Sequence, residues 1–125
     1  MALFAKAKVA KAETEAAAAR QAAFEANATQ GTMPIGEVVW RERVKVAGEV
    51  QTVRIMPWAG GVATLEATLK DPTGGITLVF LGRQKVPGVG LGTRLVAEGM
   101  VGDTRGRLAI MNPDYTILET PELHH

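Results

Sequence analysis

Residues 76–81, Ile-Thr-Leu-Val-Phe-Leu, leave this chain few folds to choose from. Successive side chains of a strand point to opposite faces. Ile76, Leu78 and Phe80 therefore share one face, and Thr77, Val79 and Leu81 the other. A strand with one wet face alternates apolar and polar residues. This one does not, so its second face needs a cover as well. Three covers are open: an N-terminal helix laid across it, a second subunit, or neighbouring strands that leave only a small, harmless apolar patch.

The surrounding sequence is β-rich and broken by tight turns. A first strand is expected over Arg43–Met56, with Val44, Val46, Val50, Val53 and Ile55 on its apolar side. The phase slips between Val50 and Val53, which calls for a bulge or strong bend, and Gly48 suits a tight barrel corner. Pro57–Gly61 forms a turn. Strand two follows over about Val62–Leu69, with Leu65, Ala67 and Leu69 alternating with Thr64, Glu66 and Thr68. Lys70–Gly75 turns into strand three. The segment 83–92 breaks regular structure with proline and glycines and has room for a short helical turn. Strand four is expected over about Thr93–Val101, and strand five over Arg107–Glu119 with an irregularity at Pro113. Five strands with a long bent first member suit a small closed barrel.

Residues 1 to about 29 have a different composition. Alanine dominates, and alanine is the strongest helix former. Leu3, Phe4, Val9 and Phe24 do not fall in one helical stripe. Asn27–Pro34 then ends the helix. The expected division is a helical tail and linker over 1–34, a β domain over 35–120 and a short tail over 121–125.

Several chemistries find no residues. The chain has no cysteine, which removes disulfides and thiolate chemistry. Its two histidines are the last two residues, His124 and His125, a poor basis for a metal site or a general base. The glycines of 88–92 lack the G-x-G-x-x-G spacing of a dinucleotide loop. No apolar run is long enough to span a membrane. Lysines at 6, 8 and 11 interrupt what a signal peptide would need as an apolar centre. A cytoplasmic, non-enzymatic protein without cofactor is expected. Formal net charge is only +1, so affinity for phosphates must come from where the charges sit.

The order of landmarks adds a resemblance. Gly48–Val50, Asp71–Gly74, Gly92–Thr93 and Pro113–Tyr115 follow one another as in OB-fold nucleic-acid-binding domains, and the pattern is similar to the wedge domain of the RecG helicase type. The whole chain resembles the short stand-alone OB-fold nucleic-acid-binding-domain proteins of actinobacteria. The resemblance spans about residues 43–119 and implies an all-β, five-stranded Greek-key OB barrel carrying an N-terminal Ala-rich helix. It also implies a ligand face on strands two and three, flanked by the one–two and four–five loops. RecG-like domains often place an aromatic residue near position 81; this chain has Leu81.

Single-strand binders combine basic residues with aromatic platforms. The basic candidates are Lys45 and Arg54 on strand one, Lys70 on strand two, Arg83 and Lys85 after strand three, and Arg105 and Arg107 at the four–five turn. Thr64 joins them on the outward side of strand two. Trp58, in the one–two loop, is the candidate stacking residue. Phe80 and Tyr115 read as packed residues, and Trp40 as a residue able to pack the tail on the barrel. Two functions remain open. One is a non-catalytic protein that binds single-stranded or junction nucleic acid, DNA ahead of RNA, with little sequence preference, in repair, recombination or replication. The other is a protein-interaction module, forming a homo-oligomer or docking on a larger DNA-processing enzyme through the apolar outer face of strand three and the helix.

Overall fold

The computed structural model describes residues 2–57 and 63–121, with side chains described from residue 11. Trp58, His124 and His125 lie outside the described residues. The chain divides into two units, Met1–Gln30 and Gly31–His125. The first is one helix, α1 (Ala2–Ala28), without an apolar stripe. No described helix is long and apolar enough to cross a membrane.

Among its described residues the second unit holds a 3₁₀ turn, Ile35–Glu37, and six strands: β1 (Arg43–Pro57), β2 (Ala63–Asp71), β3 (Gly74–Leu81), β4 (Arg94–Thr104), β5 (Arg107–Met111) and β6 (Asp114–Glu119). The strand order is β1-β2-β3-β5-β4-β6, and β1 also pairs with β4. That extra pairing closes β1, β2, β3, β5 and β4 into a ring, with β3 and β5 parallel and the other ring pairs antiparallel. The result is an OB-fold barrel. Closure leaves the five ring strands without the open edges that invite aggregation.

β1 is shared between two neighbours, and its bend makes this possible. Residues 43–49 pair with β4 and residues 49–57 with β2. The register shifts between Val50 and Thr52, where the apolar phase slips in the sequence. A Cβ on Gly48 would lie 2.6 Å from the Lys70 carbonyl oxygen, so only glycine allows the strands to meet there. Before the shift, Val44, Val46 and Val50 point into the core. After it, Thr52 and Arg54 face outward.

The core is a contiguous cluster that includes Val46, Leu65, Leu69, Leu78, Phe80, Leu95, Val101 and Ile110. Tyr115 packs edge-on against Phe80, with ring centroids 5.8 Å apart, and its hydroxyl donates to the Pro87 carbonyl.

The last strand differs from its expectation. Asn112 takes a left-handed conformation (φ 47°) and Pro113 is buried, which splits the expected Arg107–Glu119 strand into β5 and β6. Both halves still run along β4. Asn112 also mends the break. Its N–H donates to Val79 O at 2.6 Å, and its Oδ1 accepts from Leu81 N–H at 2.9 Å. The 83–92 connector forms two successive turns, closed by Val89 N–H to Val86 O and Thr93 N–H to Gly90 O, instead of a helical turn.

The second face of β3 is also resolved. Val79 points outward yet is only 2% exposed. It lies in register between Glu66 of β2 and Met111 of β5. Leu81 is half-buried.

Candidate functional site

Strand register brings one row of small side chains together on the outside of the barrel. Thr52 pairs with Thr68, Thr68 with Thr77, Thr77 with Ala109, and Ala109 with Gly102. Small residues in line across five strands leave a depression, while the next row, Arg54–Glu66–Val79–Met111, stands taller. The groove so formed has a volume of about 440 Å³. The β4–β5 hairpin closes one side of it with Thr104, Arg105 and Arg107.

That hairpin is shaped by its sequence. Arg105 and Gly106 both adopt positive φ (51° and 79°), and Thr104 pairs with Arg107 around them. This is the primed two-residue turn whose twist matches the strands it joins. Thr104 and Arg107 consequently share the groove face, and Asp103 and Leu108 the opposite face.

The electrostatic centre is Glu66. It is 7% exposed and in contact with two arginines. The Arg105 guanidinium donates to its Oε1, and Arg54 Nη2 lies 3.8 Å from the same oxygen. The arginine side chains are themselves more than half exposed. Each guanidinium has five N–H donors in a fixed fork. A carboxylate in the groove wall occupies only part of that set and holds the remainder toward solvent. No ion pair to Arg107 is present among the described residues. Three arginines against one glutamate leave the groove positive on a chain whose formal total is only +1.

The residues expected at the site separate in space. Arg54, Arg105 and Arg107 line the groove together. Thr64 is on the outward face of β2 but is fully buried, and its hydroxyl has no hydrogen-bond partner among the described residues. Lys45 lies across from Glu98 where β1 meets β4, away from the groove. Lys70 is exposed two residues beyond Thr68 on the outward row and does not line the groove. Arg83 and Lys85 are exposed in the β3–β4 connector and also do not line it. Trp58 is outside the described residues.

Sequence reasoning passed over the four threonines and Glu66. Thr52, Thr68, Thr77 and Thr104 look like ordinary outward strand positions until the register aligns three of them. Thr52 Oγ1 donates to Thr68 Oγ1 at 2.9 Å, which ties the β1 and β2 walls together. In the sequence Glu66 reads only as an alternating residue of strand two, and its burial between two arginines is what marks it out. The alternation of β2 assigns it to the outward face but says nothing about Arg105, 39 residues away.

Neither a family model nor a curated protein matches the chain. Solved structures do. A structure of RecG bound to a three-way DNA junction aligns with a TM-score of 0.56 at 17% identity, covering 68% of this chain and 12% of the RecG chain. The OBody AM1L10 bound to hen egg-white lysozyme aligns with a TM-score of 0.55 at 18% identity, covering 74% of this chain and 95% of that one. This chain thus matches only a small part of RecG and nearly the whole OBody. One of these structures holds DNA and the other a protein partner, so at these identities the likeness establishes the OB fold and leaves the ligand to be argued from the groove.

Proposed function

We propose that the protein is a binding module without catalytic activity. Its outer groove takes single-stranded or junction nucleic acid, DNA ahead of RNA, with little sequence preference, in a repair, recombination or replication setting. The observation that carries this reading is the convergence of Arg54, Arg105 and Arg107 on one threonine-floored groove. Guanidiniums suit phosphate because their planar forks donate two parallel hydrogen bonds. Threonine hydroxyls donate or accept, so the floor favours no particular base. The DNA preference and the repair setting rest on the resemblance to RecG-type wedge domains, and the likeness to a junction-bound RecG structure supports a nucleic-acid ligand.

The test is a fluorescence-anisotropy titration of labelled single-stranded DNA, with RNA and duplex controls, at two salt concentrations. Wild type is expected to bind at low salt and weaken as salt rises. Joint substitution of Arg105 and Arg107 by alanine is expected to reduce affinity by roughly tenfold or more, since each lost charged hydrogen bond is worth about 1.5–3 kcal/mol before solvent screening. Absence of binding at low salt with protein in large excess would sink the proposal.

A further inference from the structure

The β4–β5 hairpin has a second face. Opposite Thr104 and Arg107, it carries Asp103 and Leu108, and these line a separate cleft of about 340 Å³ with Trp40 and Gly106. Trp40 is 51% exposed. An indole half in solvent needs an explanation, because tryptophan is on average highly buried and is enriched where it meets a ligand or partner.

The backbone around Trp40 is held in an unusual shape. Glu42 N–H closes a turn onto Val39 O, and Arg41 takes φ 72° at the position where such turns favour glycine. Non-glycine residues in this region carry strain that surrounding contacts must offset. Two ties flank the site: Arg41 N–H donates to Val101 O at 2.9 Å, and Val101 N–H donates to Glu42 O at 2.9 Å. The Arg41 guanidinium lies over the indole, 4.2 Å from its centroid. The turn therefore presents a ring backed by a cation, beside a hairpin that carries two more arginines.

We propose that Trp40 is a base-stacking platform, and that a single strand lying in the groove passes over the Arg105–Gly106 turn to place one base in this cleft. This deepens the groove reading and rests on it. Continuity between the two sites comes from the hairpin itself. Arg105 lines the groove, the adjacent Gly106 lines the cleft, and a two-stranded ribbon is only one β layer, about 10 Å, thick. A nucleobase suits the cleft better than a phosphate. Asp103 repels an anion but accepts a hydrogen bond from an exocyclic amine, while Trp40 and Leu108 offer apolar surface to a flat ring. Phosphates fall outside the cleft, within reach of the arginines at the turn.

The experiment uses the full chain and two lengths of single-stranded DNA, about four and about twelve nucleotides, within the usual site sizes of OB folds. Trp40→Ala is expected to weaken the longer strand by about fivefold or more and to leave the shorter one nearly unchanged. Trp40→Phe, which keeps a smaller platform, is expected to fall between. Trp40 is the sole tryptophan in a Trp58→Phe variant. Its fluorescence is expected to change along the same saturation curve as the anisotropy of the longer strand. Equal affinities of wild type and Trp40→Ala for both lengths, with no fluorescence change, would overturn the platform while leaving the groove reading intact. A change in self-association upon Trp40→Ala without any change in DNA affinity would also overturn it and assign the cleft to protein contact. Failure of wild type to bind either strand would overturn both readings.

Discussion

At the scale of single residues, Glu66 sets the behaviour of the groove. Two effects oppose each other there. The carboxylate positions Arg105 and Arg54, and it also places a negative charge under the path of a phosphate backbone. Ordering a long side chain is worth at most about 2 kcal/mol, and these half-exposed arginines lose only part of that order if Glu66 goes. A like charge about 4 Å from a phosphate costs about 1 kcal/mol in bulk water and about 4 kcal/mol near a protein surface. Charge therefore wins. Glu66→Gln is expected to bind single-stranded DNA about fivefold more tightly at low salt, with a steeper salt dependence in the same anisotropy assay. Weaker binding by Glu66→Gln would show that positioning dominates.

At the scale of elements, two contacts govern how the barrel is held together. Gly48 is the corner at which β1 passes from β4 to β2. Alanine there would set a methyl group 2.6 Å from a backbone oxygen, which cannot swing aside as a side chain would. Gly48→Ala is expected to lower stability by about 1–3 kcal/mol, read from the urea midpoint, with unchanged α1 helicity. The second contact ties the 3₁₀ turn to the β2–β3 turn. Asp71 accepts from Ile35 N–H at 2.9 Å, from Thr73 N–H and its hydroxyl, and from Gly74 N–H. Desolvation pushes the Asp71 carboxyl up, and these donors outweigh it, so its pKa lies below the usual value for aspartate. A depressed folded-state pKa adds stability above the unfolded-state pKa, and this is lost as pH falls through the folded-state value. The melting temperature of wild type is therefore expected to fall more between about pH 5 and pH 2 than that of Asp71→Asn, which has no charge there to lose. Parallel melting profiles for the two proteins would remove Asp71 from the account.

At the scale of the whole molecule, charge is nearly balanced, at a formal +1, and only its distribution favours an anion. Arg43 is close to Glu98 and Asp114, and Arg94 is paired with Glu119, so these two arginines of the β1–β4–β6 side are locally neutralised. The groove keeps a surplus. Two or three phosphates met by Arg54, Arg105 and Arg107 imply a slope of log affinity against log salt of about −1.5 to −2 for a single strand. Such a shallow slope belongs to a local site; a slope several times steeper would mean that the whole surface takes part.

The sequence by itself determined the first four strands, the bend at Gly48, the phase slip after Val50, the helical N-terminus and the absence of cysteine chemistry. All of these depend on local properties: side-chain alternation, glycine geometry, alanine propensity and composition. It also named the three arginines of the groove, because Arg54 falls on an outward strand position and Arg105 and Arg107 flank a turn. It could not separate them from Lys45, Lys70, Arg83 and Lys85, since outward-facing basic residues look alike until strand register says which rows converge. Tertiary structure alone decided that Thr52, Thr68 and Thr77 align into a floor, that Val79 is covered on its outer side, and that Asn112 breaks the last strand and mends the gap. It also decided that Glu66 meets an arginine 39 residues away and that Trp40 stands in solvent against the back of the basic hairpin. These features depend on pairings between distant segments, and barrel closure selects those pairings through the total packing of the core, which no short stretch of sequence encodes.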